Sequence, residues 1–270
     1  MKLNIQIKEI DYIVALDFIF KFHYSKVMPK LTKHILGFYH DDKLIGVITL
    51  GWGVQPLKTI NKLFPSLTSK DYLEIGKMCF DDKMGKNTES QSLSKMFEWV
   101  KNNTNVKLIF TWADGCLGKC GYVYQSANML YGEYIFTDFY LTNSGEKVHP
   151  RTSQGLADKG DKKCGHRPTK EYMIKNGWGH YKGKQFRYIY FTCDKKTKKK
   201  LLKESTITWN INYPKQNDLQ WQKQDLDTGK WEIVKEIGYN KNVTTIANKT
   251  AINNKNKVVT YNKAKEFFDL

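Results

Sequence analysis

Tyr72-Leu-Glu-Ile-Gly-Lys-Met-Cys-Phe80 and the polar loop after it, Asp81-Asp-Lys-Met-Gly-Lys-Asn-Thr-Glu-Ser90, decide how this chain folds. The first reads as a strand. Beyond the loop, Leu93, Met96, Phe97 and Val100 recur at helical spacing, with Lys95, Glu98 and Lys101 on the opposite face. Val106-Lys-Leu-Ile-Phe-Thr-Trp112 is short, β-branched and aromatic, as a buried strand should be. It runs into Ala113-Asp114-Gly115, the carboxyl end where an α/β sheet opens its site. A second helix, built on aromatic and small residues, is expected from there towards Phe136.

Upstream, Met1 to Ile10 alternates with period two and reads as a strand rather than a signal peptide. Residues 10–22 carry enough apolar positions for a largely buried helix, stopped before Pro29. Ile35–Tyr39 and Leu44–Leu50 are two strands joined by His40-Asp-Asp-Lys43, a hairpin, and the stretch from Gly53 to Leu73 reads as a long polar loop. Downstream come a strand over 136–142, a turn, and a partner strand in Lys147-Val-His-Pro-Arg-Thr152. The glycine- and lysine-rich segment 155–165 reads as a mobile loop, and 168–176 as a short helix ended by Gly177. Residues 185–192 form a strong strand, 195–203 a basic helix or tail, and 206–213 a closing strand.

From Lys215 the composition shifts to Asn, Gln and Lys. Residues 219–236 suggest one hairpin turning at Asp227-Thr-Gly-Lys230, and the rest is poorly patterned. This divides the chain into a domain at 1–214 and an appendage at 215–270. Hairpins first and a central strand–helix–strand unit make a mixed, mostly antiparallel α/β sheet flanked by helices, not a barrel or a doubly wound fold.

The formal charge of +17 is concentrated: residues 151–203 hold 16 Lys and Arg against 4 acids, a net of +12. Interleaved aromatics (Tyr172, Trp178, Tyr181, Phe186, Tyr188) argue for a folded basic surface rather than a tail. Such a surface suits a polyanion, because phosphate contacts release counterions. Arg151, Lys162, Lys163, Arg167, Lys182, Lys184 and Arg187 are the candidate nucleic-acid contacts, and a nucleic acid is the expected partner. No run approaches the roughly 18 apolar residues of a membrane span. Five cysteines, an odd number, suggest a reducing cytoplasm without a disulfide framework. Cys116-x3-Cys120 and Cys164-x-His166 lack zinc-site spacing. Walker and dinucleotide fingerprints are absent. The sequence leaves the oligomeric state open, a homodimer included.

The central unit resembles the acyl-CoA-binding core of the GNAT N-acetyltransferases. That resemblance implies acetyl-CoA or a related acyl-CoA, its pyrophosphate held by Gly85-Lys-Asn-Thr-Glu-Ser90, with Asn87 or Ser90 capping the helix. Ser126-Ala-Asn-Met-Leu-Tyr-Gly-Glu-Tyr-Ile-Phe136 resembles the last motif of that superfamily, with Tyr131 as the matching general acid.

A more specific resemblance overlies this one. His23-Tyr24-Ser25, Gly46-Val-Ile-Thr-Leu-Gly51, Leu73-Glu-Ile-Gly-Lys77, Asn87-Thr-Glu-Ser90, Trp112-Ala-Asp114 and Gly121-Tyr-Val-Tyr-Gln-Ser-Ala-Asn128 follow the order seen in the phage Mom family. So do Tyr131-Gly132, His149-Pro-Arg-Thr152 and Phe186-Arg-Tyr188. The match spans residues 22–213, and departs at Lys77, where the family more often has arginine; the two cations are not equivalent at a bidentate site.

This resemblance implies a phage-type enzyme, in the host bacterial cytoplasm, that converts adenine in DNA to an N6-methylcarbamoyl form and so protects it from restriction. Such an enzyme must extrude the base, and Trp52, Trp112 and Tyr122 are candidates for stacking. The group attaches through a methylene, so the chemistry goes beyond attack on a thioester carbonyl. By motif, His23, Tyr24, Asp114 and Tyr124 match the family's candidate catalytic or iron-binding positions, and imidazole, carboxylate and phenolate suit Fe2+. Lys77 joins Gly85, Asn87 and Ser90 as a candidate cofactor contact. Two other readings stand beside this one: an ordinary N-acetyltransferase acting on a protein or small-molecule amine, and a non-catalytic DNA-binding protein. The charge favours a DNA partner over the former, and His23, Tyr24, Asp114 and Tyr124 together disfavour the latter.

Overall fold

The computed structural model describes residues 3–53, 55–150 and 167–240. Contacts divide the chain into two units: Met1–His23 with Met28–Ile135 and Lys184–Leu219, and Tyr24–Val27 with Phe136–Gly183 and Gln220–Leu270.

In the first unit β1 (Gln6–Glu9), β2 (Leu31–His40), β3 (Lys43–Trp52), β4 (Tyr72–Phe80) and β5 (Leu108–Asp114) follow one another across a sheet, with the end of β8 (Gly179–Phe191) beside β5. The turn between β2 and β3 has positive φ at both Asp41 and Asp42 (48° and 58°), which matches the twist of a two-residue hairpin. β4 and β5 run parallel, and the other pairs in this order are antiparallel. A parallel pair needs a long crossover, and α3 (Thr88–Asn103) supplies it. The mixed, mostly antiparallel sheet flanked by helices is therefore the fold observed.

Alternation assigns each strand two faces. On one, Leu73, Ile75, Ile109, Ala113, Phe186 and Tyr188 pack with Leu93, Met96, Phe97 and Val100 of α3. Phe97 stacks on Tyr190 at 3.7 Å between centroids. The opposite face is covered in two patches. One is α1 (Tyr12–Phe22), packed on Val47 and Cys79. The other gathers Tyr72, Leu108, Phe110, Ile189 and Phe191 under α2 (Pro56–Leu63), α6 (Lys195–Glu204) and Trp209.

The structure departs from the sequence pattern at several elements. The stretch 53–71 is not a loop: Pro56 starts α2, whose Ile60 and Leu63 are buried, and a turn of 3-10 helix spans Ser69–Asp71. The helical period is weak in the sequence because only a turn or two is apolar. α3 begins at Thr88, so Ser90 lies inside its first turn; Asn87 is at the N-cap position, but neither side chain caps the helix. The second helix is only α4 (Tyr122–Ser126). Asn128 turns left-handed (φ 56°), and Leu130–Leu141 is a strand, β6, so Tyr131 is a strand residue. Residues 206–213 form no closing strand; one backbone bridge joins Asn210 to Tyr131, and Trp209 stacks on Phe64.

In the second unit the end of β6 pairs with β7 (Lys147–Val148). α5 (Lys170–Asn176) is capped by the Thr169 hydroxyl and ended by left-handed Gly177. β9 (Trp221–Gln224) pairs with Tyr181–Gly183 and with β10 (Trp231–Val234), the expected hairpin. Tyr140, Val148, Met173 and Trp178 form its core. The loop expected at 155–165 lies outside the described residues. Among the described residues no helix is long and apolar enough to cross a membrane.

Candidate active site on the parted strands

The parallel pair is short. Tyr72, Leu73 and Glu74 pair with Leu108, Ile109 and Phe110, and beyond that register β4 runs on to Phe80 and β5 to Asp114 without pairing to each other. The strands part at their carboxyl ends, where a crevice forms in α/β sheets.

On its other side β4 is bulged. Thr49 faces Lys77 and Leu50 faces Ile75, leaving Gly76 as the extra residue. A side chain at Gly76 would press on Pro29, 2.8 Å from its Cγ. The bulge shifts the alternation by one, and so puts Glu74 and Lys77, three apart, on the same face. Tyr72 and Cys79 mark that face as the one opposite α3. Trp112 packs on it as well, and alternation places Asp114 and Arg187 there.

This face is charged and partly buried. Glu74 accepts a hydrogen bond from Gly53 N (3.2 Å), yet burial pushes its carboxyl up to about 7. Burial, with Lys119 nearby, lowers the Lys77 ammonium to about 8. Burial also lowers Lys119, against the pull of Asp114 and Asp82. A near-neutral carboxyl, a weakened ammonium and a second cation beside a carboxylate suit proton transfer next to an anionic ligand. Arg187 is half-buried, its guanidinium 5.6 Å over the Trp112 ring and donating to Gly132 O (3.2 Å). The sequence signal for Glu74 is an acid inside an otherwise apolar central strand.

The other candidates lie elsewhere. His23 closes α1, the helix over part of this face, its backbone N–H bonded to Ile19 O. Tyr24 is 44% exposed and belongs to the second unit. Tyr124 is buried in the α3-side core, where the Thr111 hydroxyl donates to it (3.4 Å) and burial raises its pKa. Tyr131 packs against that core, its phenol pushed up to about 12 chiefly by burial. Gly121 starts α4 at φ 91°, where a Cβ would meet the Tyr188 ring at 2.6 Å.

As an iron site, this donor set fits poorly. Asp114 lies on the sheet face opposite α3, whereas Tyr124 is buried in the core on the α3 side.

The anion loop fits better. No side chain caps α3. Ser90 instead donates to Asn87 O (3.1 Å) and Thr88 to Gly85 O (2.8 Å). Gly85 has open space at its Cβ position. Uncapped first-turn N–H groups at the positive end of the helix dipole suit a phosphate.

The basic candidates are held within the fold. Arg167 pairs with Asp138, Lys182 lies 3.8 Å over Trp231, and Lys184 donates to Asp218 O (2.9 Å). Arg151, Lys162 and Lys163 lie outside the described residues. Of the stacking candidates, Tyr122 is 52% exposed, while the Trp52 indole donates to Ser69 O (2.8 Å) and Tyr72 O (3.1 Å).

A model of the Mom protein family matches residues 4–215. The chain is 26% identical over 181 residues to the methylcarbamoylase Mom of Escherichia phage Mu, covering 66% of this chain and 71% of that protein. Among solved structures it is similar to a Bacillus subtilis acetyltransferase in complex with CoA: 15% identity, TM-score 0.35, 49% of this chain and 80% of that one. It is also similar to an N-acetyltransferase from Staphylococcus aureus Mu50: 13% identity, TM-score 0.37, 70% of this chain and 99% of that one. The matched span contains the parted strands and every residue of the charged face, and the chain belongs to the Mom protein family.

Proposed function

We propose that this chain is a transferase that modifies adenine in double-stranded DNA at N6. The group is of the methylcarbamoyl type, the donor acetyl-CoA or a related acyl-CoA, and the outcome protection of phage DNA from host restriction. The observation that carries this reading is the family match over residues 4–215, which encloses the charged face at the parted strands.

The residues support the following division of labour. The uncapped start of α3, with Gly85, Asn87 and Ser90, would receive the donor's phosphates. The donor would supply a two-carbon unit and lose the CoA thiol, while the amide nitrogen comes from ammonia or an amine and the N–CH2 bond requires a two-electron oxidant as co-reactant. Lys77, near its ionisation point, offers a cation beside that crevice. Adenine reaches the site only after extrusion from the duplex, and half-buried Trp112, backed by Arg187, offers a stacking surface. Glu74, whose carboxyl titrates near neutrality, accepts the proton that N6 gives up. Asp114 orients the amine and holds Lys119 as an ammonium.

Protein incubated with duplex DNA, acetyl-CoA and bacterial cell extract, which supplies the amide nitrogen and the two-electron oxidant, followed by mass spectrometry of the nucleosides, tests this. A deoxyadenosine adduct with a nitrogen beyond those of adenine is expected. An adduct with the mass of a plain acetyl group points to ordinary acetyl transfer. Unmodified DNA, with the thioester consumed on an added amine, overturns the DNA reading.

A further inference from the structure

Helix α6 reads Lys195-Lys-Thr-Lys-Lys-Lys-Leu-Leu-Lys-Glu204, with six lysines and one acid in ten residues. The Asp194 side chain caps it, accepting from Lys196 N (2.8 Å) and Thr197 N (3.0 Å). Leu201 is 2% exposed and Leu202 packs beside it, so its apolar residues are engaged with the sheet.

Helix α2, which adds Lys58 and Lys62, is tied to the end of α6. The Thr206 hydroxyl donates to Lys62 O (2.7 Å), Thr206 N to Leu63 O (3.1 Å), and the Ser66 hydroxyl to Glu204. The two helices make one plate on the same sheet face as Glu74 and Trp112.

Its lysines are open to solvent. Lys58, Lys62, Lys195, Lys196, Lys199, Lys200 and Lys203 are exposed, and Lys198 lies 5.6 Å over Phe191. None of these eight makes an ion pair with a described residue. Arg167, Lys182 and Lys184 in the second basic stretch, by contrast, have partners within the fold. Like charges one helical turn apart repel. A rigid plate of them is a site that a polyanion relieves, through release of its counterions. Lys196, Lys199, Lys200 and Lys203 follow one stripe about 10 Å long, enough for successive phosphates. No apolar side of α6 is left for insertion into a bilayer.

We propose that the α2–α6 lysine plate docks the sugar-phosphate backbone of duplex DNA beside the site. This rests on reading the chain as a DNA-modifying enzyme.

The test is the salt dependence of duplex binding by the full chain. It compares the wild type with the variant K196Q/K199Q/K200Q/K203Q, while nucleoside modification is read in parallel. The slope of log affinity against log salt is expected to fall by roughly 3 to 4, with a loss of more than about tenfold near 0.1 M salt. If the variant's melting temperature drops, K58Q/K62Q replaces it, with an expected fall of about 2 in slope. An unchanged slope in both variants overturns the docking surface even where adenine is still modified. A reduced slope with no modification by the wild type leaves the surface standing and removes the enzymatic reading. Tighter binding of the wild type to anionic phospholipid vesicles or to RNA than to duplex DNA also overturns the proposal.

Discussion

Glu74 accepts one backbone hydrogen bond, yet burial still pushes its carboxyl up to about 7 from an ordinary 4.5. A raised carboxyl contributes stability that is fully present below the unfolded value and is lost as pH rises through the folded one. Between about pH 4.5 and 7 the native state therefore loses about 3 kcal/mol from this group. Glu74→Gln keeps an acceptor for Gly53 but cannot ionise. Denaturant melts should show it more stable than the wild type at pH 8 and nearly equal at pH 5, with modification reduced at least about tenfold. Equal stability at both pH values would mean that Glu74 is solvated. Lys77 behaves in the opposite sense: its ammonium, lowered to about 8, is lost as pH rises through that value. Modification should fall above pH 8 in the wild type, and Lys77→Arg, which stays charged, should flatten that alkaline limb. Asp114→Ala is expected to abolish modification with the melting temperature nearly unchanged; an unfolded variant would make the residue structural.

At the level of elements, the bulge in β4 does what regular alternation cannot: it turns Glu74 and Lys77 to one face. Gly76→Ala brings a Cβ to 2.8 Å from Pro29 and 3.1 Å from Thr49, so the bulge must shift. A loss of about 1–3 kcal/mol is expected, together with a loss of turnover per folded molecule. Leu93→Ala in α3, fully buried in the other face, should cost about 2–5 kcal/mol and leave turnover per folded molecule intact. Equal effects of the two variants on turnover would deny the bulge its role. The strand at Tyr72–Phe80, the amphipathic helix after it and the hairpin at Asp41-Asp42 were legible because their periods are long or their turn chemistry is specific. The bulge was not, because Leu73-Glu-Ile-Gly-Lys77 reads as plain alternation until a partner strand fixes its register. α2 was hidden for a simpler reason, having only a turn or two of apolar spacing. Tyr124 and Tyr131 were legible as aromatic positions, but which face of the sheet they fill depends on contacts distant in sequence.

Across the whole molecule, the sequence shows that positive charge is concentrated but not which cations are available. The fold separates them. Arg167, Lys182, Lys184 and Arg187 have partners within it, whereas the lysines of α2 and α6 have no ion-pair partner among the described residues. Under the proposed reading, phosphates would be held on the lysine plate and the base read at the half-buried residues of the same sheet face. The most direct test is mass spectrometry of nucleosides digested from plasmid DNA of cells that express this chain, with Glu74→Gln alongside. A late-eluting deoxyadenosine adduct with an added nitrogen is expected in the wild type, reduced at least about tenfold in the variant. Unmodified deoxyadenosine from cells with abundant folded protein, or full modification by the variant, would contradict this expectation.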